Sequence, residues 1–86
     1  MKIEARITAL IGDEKLKAYA SVCLDDEFLI KGIKVIDGSN GRFVAMPSRK
    51  SKHGEHLDIC FPIVRELREQ INTAVLEAYR KKMEEM

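Results

Sequence analysis

The sequence lacks several features that would place it in a specialised structural class. It has no tryptophan, two tyrosines and three phenylalanines, so its core must be mainly aliphatic. Two cysteines and two prolines among 86 residues exclude a disulfide scaffold and a proline-rich linker. No apolar run approaches the ~20 residues of a membrane span, and Lys2, Glu4 and Arg6 argue against a signal peptide. We therefore expect one cytoplasmic domain over residues 1–86, with reduced thiols and no membrane partner.

The first half of the chain shows the period-two alternation of antiparallel strands. Apolar and polar residues alternate over residues 3–8 and, most regularly, over residues 16–24. The short link between these two runs predicts a hairpin. A third apolar run over residues 28–36 changes parity at Gly32, which predicts either a β-bulge or a bend at that glycine.

The middle of the chain predicts a tight turn and two shorter strands. Gly38-Ser39-Asn40-Gly41 lies between strand-like runs, so its G-x-x-G spacing indicates a turn and not the helix-joining clamp of a KH domain. Residues 43–46 predict a short strand, and residues 57–61 predict another. The polar residues 48–56 between them fit either a loop or an extended hairpin arm.

The last third of the chain predicts one helix, with Pro62 in its first turn. Its main apolar face consists of Val64, Leu67, Ile71, Ala74, Val75 and Ala78. A second stripe of Leu76, Tyr79 and Met83 indicates either a wide core-facing surface or contact with a second subunit. The predicted fold is α+β, with an antiparallel β-sheet of about five strands followed by one long C-terminal helix.

The excess of positive charge lies in the middle of the chain, between residues 42 and 63. Residues 42–63 carry a net charge of +2, whereas residues 1–41 carry −1 and residues 64–86 are neutral. The cations in the basic stretch are Arg42, Arg49, Lys50 and Lys52. Arginine and lysine both suit phosphate, so a nucleic-acid contact is one interpretation. A solvated loop without a ligand is the other, because surface charge is common.

Metal and catalytic sites have little support in the sequence. The spacing from His53 through His56 and Asp58 to Cys60 matches no zinc signature. No motif of a hydrolase, metalloprotease or nucleotide-binding enzyme occurs, and a domain this small offers little room for a deep pocket. We therefore expect no enzymatic activity, no cofactor, no metal and no small-molecule substrate.

The residues from Phe28 to Ile63 resemble the stage V sporulation protein G family of bacterial regulators. The similarity continues into the predicted helix. The matching residues are Ile36-Asp37-Gly38, Gly41, Phe43-Val44-Ala45-Met46-Pro47-Ser48, Arg49-Lys50, Gly54-Glu55, Asp58-Ile59-Cys60, Pro62-Ile63, Ala74-Val75-Leu76 and Tyr79. The F-V-A-M-P-S block, followed by basic residues and a Gly-Glu turn, is the most specific part of this pattern.

The resemblance implies a small cytoplasmic homodimer that binds DNA, and in some members RNA, at selected sites to regulate gene expression. Family members are tied to sporulation and septation, among other processes. Binding in the family is attributed to the basic loop and the adjacent helix, which correspond here to Arg49, Lys50 and Lys52, with Arg65 and Arg68 as secondary candidates. Lys52-His53 stands where the family more often has Pro-Asp, so this loop is more basic.

The sequence and the resemblance therefore leave two functions open. The first is a DNA- or RNA-binding regulator that holds the nucleic-acid backbone with its basic loop. The second is a protein–protein adaptor in cell division or regulation, in which a sheet edge or the second helix stripe recruits a partner without nucleic-acid contact.

Overall fold

The computed structural model describes residues 1–85, which form a four-stranded sheet, a separate two-stranded ribbon and one helix. The elements are β1 (Ile3–Leu10), β2 (Leu16–Leu24), β3 (Phe28–Gly38), β4 (Gly41–Ala45), β5 (Ser48–Lys50), β6 (His56–Asp58) and α1 (Arg65–Glu84). Strands β1 to β4 pair antiparallel in chain order, and β5 pairs only with β6. The predicted α+β architecture is confirmed. Within this described part of the chain, no helix combines the length and apolar character needed to cross a membrane.

The central strand β2 supplies the middle of the core. Ala18, Ala20 and Val22 alternate along it and are fully buried on the side that faces α1. Ile33 and Val35 of β3 lie opposite Ala20 and Ala18 and are also fully buried. Burial of one such branched side chain contributes about 1.5–3 kcal/mol. The regular alternation over residues 16–24 therefore marks the strand with most of the core.

Of the two predicted possibilities at Gly32, the β-bulge is the one observed. Between the pairs Ala20–Ile33 and Val22–Ile30, β3 has one residue more than β2. Gly32 lies in this interval with φ of +81°, a conformation that strains any residue with a Cβ atom. Because β3 has this extra residue, Ile33 and Val35 point into the core although they are an odd number of residues from Ile30.

The helix begins later than the sequence predicts. Pro62 is not in its first turn, because Val64 is the N-cap residue and the first helical residue is Arg65. Pro62 is instead buried, and its carbonyl accepts a hydrogen bond from Nη2 of Arg68 at 3.4 Å. Val64, predicted on the apolar face, is 54% exposed. The prolyl ring thus anchors the chain before the helix.

The core-facing surface of α1 is wide. Ile71, Val75 and Tyr79 are buried at successive spacings of four, and Leu76 is partly buried against the same core. Tyr79 and Leu76 of the second predicted stripe therefore belong to the core within one chain. Met83, the third member of that stripe, remains exposed.

An ionic and aromatic contact fastens the C-terminal half of α1 to the sheet. The guanidinium of Arg42, at the start of β4, lies 4.9 Å from the ring centroid of Tyr79. The same group donates from Nε to Oδ1 of Asp37 at 2.9 Å, and Nζ of Lys17 lies 3.8 Å from the other carboxylate oxygen. The hydrogen bond from Arg42 holds the pKa of Asp37 below its ordinary value. Arg42 of β4 therefore connects β3, through Asp37, with α1, through Tyr79.

Removing a buried methyl-rich side chain from α1 will destabilise the fold. Ile71 is 1% exposed, so Ile71→Ala is expected to lower the free energy of unfolding by ~2–5 kcal/mol. Urea denaturation measures this loss. The matched change Ile11→Ala, at an exposed isoleucine in the β1–β2 turn, is expected to stay within about 0.5 kcal/mol. Equal effects of the two changes would contradict the assigned core.

The Asp37–Arg42 pair makes stability depend on pH in the acid range. Because the pKa of Asp37 is lower in the folded state than the ordinary 3.8, its stabilising effect is complete above that value and is lost as the pH falls through the lower, folded pKa. Asp37→Asn should therefore reduce stability at pH 7, and the deficit relative to the natural chain should shrink below pH ~4. Denaturation at several pH values tests this. Asp58→Asn, which removes an exposed carboxylate without a salt bridge in residues 1–85, should show no such pH-dependent deficit.

Candidate nucleic-acid interface

The basic segment forms a short antiparallel ribbon. Of the two predicted possibilities, the hairpin arm is the one observed: Ser48 pairs with Asp58, Arg49 with Leu57 and Lys50 with His56. Strand β6 is shorter than the predicted run over residues 57–61, because beyond Asp58 the partner strand has reached Pro47, which has no N–H group to continue the ladder. The amide of Ile59 donates to the carbonyl of Pro47 at 2.7 Å and closes the base of the ribbon.

Ser51 organises the turn at the tip of the ribbon. Its hydroxyl oxygen accepts hydrogen bonds from the amides of His53 and Glu55 at 3.3 and 3.1 Å. Its own amide donates to the carbonyl of Glu55 at 2.7 Å, and Gly54 takes a φ of +83°. The role of Ser51 was not predicted, although serine and glycine within one short polar segment are a typical turn signal. The turn holds Lys52 at the tip without using its side chain.

The ribbon separates the three main cationic candidates. Arg49 and Lys50 are adjacent, and successive side chains of a strand point to opposite faces, so they lie on different sides of the ribbon. Lys52 lies in the turn. All three are exposed, and none has a salt-bridge partner among residues 1–85. They form a cationic arm and not one compact cluster.

The other three candidates are engaged elsewhere. Arg42 lies next to the β3–β4 turn, at the end of β4 farther from the ribbon along the chain, where Asp37 and Tyr79 hold it. Arg65 pairs with Glu69 at 3.1 Å. Arg68 donates to the carbonyl of Pro62. The structure therefore gives Arg42 and Arg68 structural roles and leaves Arg65 partly neutralised.

One side of α1 is acidic. A groove of about 690 Å³ between β1 and α1 is lined by Glu66, Glu69 and Glu77, among other residues. Arg80 binds both Glu77 and Glu84, and its hydrogen bond holds the pKa of Glu77 below the ordinary value. A groove lined by carboxylates is poorly suited to phosphate, because like charges repel.

The segment that leads from the ribbon to the helix exposes large apolar side chains. Leu57, Ile59, Phe61, Ile63 and Val64 are all exposed, and Ile63 reaches 89%. We call the four residues that follow the ribbon, Ile59, Phe61, Ile63 and Val64, the apolar strip. An apolar cleft of about 180 Å³, lined in part by Phe61, lies beside it. The sequence predicts a strand over residues 57–61 and places Val64 on a helix face, so it does not predict this strip.

The groups with metal-binding or redox chemistry stand apart from one another. Among residues 1–85, no three histidine, cysteine, aspartate or glutamate side chains are placed to hold a metal ion. Cys23 and Cys60 are both half-buried free thiols.

Comparison with known proteins identifies the family. The SpoVG family profile matches residues 1–81. A protein of Clostridium botulinum (strain Alaska E43 / Type E3) named "Putative septation protein SpoVG" is 49% identical over 82 residues, which cover 95% of this chain and 90% of that protein. A protein of the same name from Archaeoglobus fulgidus is 47% identical over 78 residues, covering 91% of this chain and 92% of its own length. The chain belongs to the SpoVG family.

Proposed function

We propose that this protein is a cytoplasmic, non-enzymatic regulator of gene expression that binds DNA, and in some settings RNA, through the β5–β6 ribbon. One observation carries the proposal: Arg49, Lys50 and Lys52 are exposed and without a salt bridge in the described chain. Arg42, by contrast, is held by Asp37 and Tyr79. A cation that has no carboxylate partner can bind phosphate without breaking an existing ion pair.

The magnitude of the expected binding follows from the charge count. Each phosphate neutralised by lysine or arginine adds about 0.9 to the slope of log affinity against log salt for duplex DNA. Three ribbon cations therefore support a moderate, salt-sensitive affinity in each chain. The net charge of +1 adds little long-range attraction. The septation named in the relatives is a process in which such a regulator could act.

Removal of the ribbon cations should weaken binding strongly and make the remainder less sensitive to salt. The triple change Arg49→Ala, Lys50→Ala and Lys52→Ala removes the three phosphate contacts, so the salt slope should fall by about three. Fluorescence anisotropy with random-sequence DNA and RNA, across a salt series, measures affinity and slope together. No binding by the unaltered protein at low salt would contradict the proposal.

A matched variant separates the ribbon from total charge. Lys15→Ala, Lys31→Ala and Lys81→Ala remove the same number of exposed cations from outside the ribbon. This variant should keep most of its affinity, because its lost charges lie away from the proposed contact. An equal loss in both triple variants would show that only total charge matters.

We also propose that the protein is a homodimer that buries the apolar strip. Four large apolar side chains exposed within six consecutive residues are typical of an interaction surface and not of scattered surface residues. The strip and the adjacent cleft provide both exposed side chains and a recess. A two-fold interface pairs one patch with its own copy, so each cleft can receive a side chain of the other strip.

A charge placed in the strip should separate the subunits. Ile63 is 89% exposed, so Ile63→Glu should leave the single chain folded but make it monomeric, because a carboxylate would be buried in the dimer. Sedimentation equilibrium gives the mass. Ile11→Glu, on the exposed β1–β2 turn, should remain dimeric. A dimeric Ile63→Glu protein, or a monomeric natural chain at high concentration, would refute this interface.

The adaptor function has one specific observation in its favour. Strands β1 and β4 are the two edges of the main sheet and can accept an added strand. An adaptor would recruit its partner equally well after the ribbon cations are removed. Retained partner recruitment together with absent nucleic-acid binding would therefore favour the adaptor.

A further inference from the structure

We infer that the β5–β6 ribbon enters the major groove of duplex DNA and turns its Arg49–Leu57 face toward the base edges. This inference rests on the proposed function and adds the form of nucleic acid, the groove and the residue that reads sequence. It follows from the shape of the ribbon, the charges on its two faces and its residue content.

The dimensions of the ribbon suit this groove. Two paired strands lie about 4.8 Å apart, and three residue pairs extend about 10 Å. The B-DNA major groove is about 12 Å wide and 8.5 Å deep, and it admits a two-stranded ribbon. The ribbon consists of three residue pairs closed by the turn at Ser51–Glu55. Its strands pair with each other and with no strand of the main sheet, so the arm is available for insertion.

The two faces of the ribbon differ in charge. Lys50 and His56 share their face with Ser48 and Asp58, because these pairs are two residues apart along both strands. The carboxylate of Asp58 makes that face less suited to the negative potential of DNA. The opposite face presents Arg49 beside Leu57 and carries no acidic pair member. The Arg49–Leu57 face is therefore the one that can approach the bases.

The chemistry of that face matches base edges. An arginine fork binds O6 and N7 of guanine, the commonest specific contact in the major groove. An apolar side chain such as Leu57 fits against the methyl group of thymine. Lys50 and Lys52 are long enough to reach phosphates along the groove walls while Arg49 contacts the bases. The arm thus divides its cations between sequence reading and backbone positioning.

The ribbon is better suited to duplex DNA than to single strands or duplex RNA. Single-stranded recognition relies on aromatic platforms for base stacking, and residues 48–58 contain no phenylalanine, tyrosine or tryptophan. His53 and His56 lie in the turn and on the Lys50 face, so they form no continuous platform. The major groove of A-form RNA is too deep and narrow for side chains to read. Duplex DNA is the form that the ribbon fits.

The first experiment compares forms of nucleic acid. A duplex DNA selected from a random pool is measured by anisotropy beside its single strand and the duplex RNA of the same sequence. The full chain should bind the DNA duplex at least about tenfold more tightly than either alternative. Equal or tighter binding to the single strand or to RNA would overturn the inference while leaving the proposed function intact. Absence of binding to all three would instead refute the proposed function.

The second experiment tests whether the ribbon contacts guanine in the major groove and whether Arg49 makes that contact. Replacing guanine by 7-deazaguanine removes the N7 acceptor without changing charge or groove width. It should weaken the natural protein about tenfold, and Arg49→Ala should bind weakly but equally to both duplexes. Lys52→Ala is the matched control: it should lose affinity on every duplex, lower the salt slope by about one and keep its sensitivity to 7-deazaguanine.

The outcomes of the second experiment are decisive in both directions. If Arg49→Ala remained as sensitive to 7-deazaguanine as the natural chain, Arg49 would not be the reader. If the natural chain were insensitive, the ribbon would not contact guanine in the major groove. Both changes affect exposed side chains, and an unchanged melting temperature of each variant shows that the loss is one of binding.

Discussion

The packing of α1 against one face of the sheet is the constraint on which the rest of the structure depends. Two fully buried alanines, Ala18 and Ala20, leave β2 with little side-chain bulk on its core face. Ile71 and Val75 of α1 belong to the same buried cluster. In a core without tryptophan, this fit of branched against small residues must supply much of the apolar burial. A larger residue at either alanine would lift the helix from the sheet.

The position of the helix decides which cations are available. Once α1 is packed, the ring of Tyr79 lies against the guanidinium of Arg42, and Asp37 accepts a hydrogen bond from the same guanidinium. Arg68 is drawn to the carbonyl of Pro62 in the same way at the other end of the helix. The six candidate cations thus acquire different roles: Arg42, Arg65 and Arg68 have partners within the chain, and the three ribbon cations have no salt bridge among residues 1–85. Local charge density alone does not distinguish a structural arginine from a binding one.

Much of the fold could be predicted from the sequence because its signals are periodic and local. Alternation located β2, and the parity change located the bulge at Gly32, whose positive φ only glycine adopts easily. Pro62 was misplaced because a proline before a helix and one within its first turn have the same sequence signal; tertiary burial decides between them. The opposite faces of Arg49 and Lys50 depended on strand pairing that a polar segment does not reveal. The apolar strip was missed because exposure is a property of packing.

The ribbon and the apolar strip are mechanically connected, and this gives the proposed dimer a functional consequence. Strand β6 ends at Asp58, next to Ile59 of the strip, and the hydrogen bond from the amide of Ile59 to the carbonyl of Pro47 ties the base of the ribbon to the strip. A two-fold dimer formed through the strip therefore fixes the separation and direction of two ribbons. Each ribbon alone provides three free cations, whereas two held at a fixed spacing bind one duplex with the advantage of a high effective concentration. Half-sites related by two-fold symmetry are then the natural DNA target, because the symmetry of the site follows that of the protein.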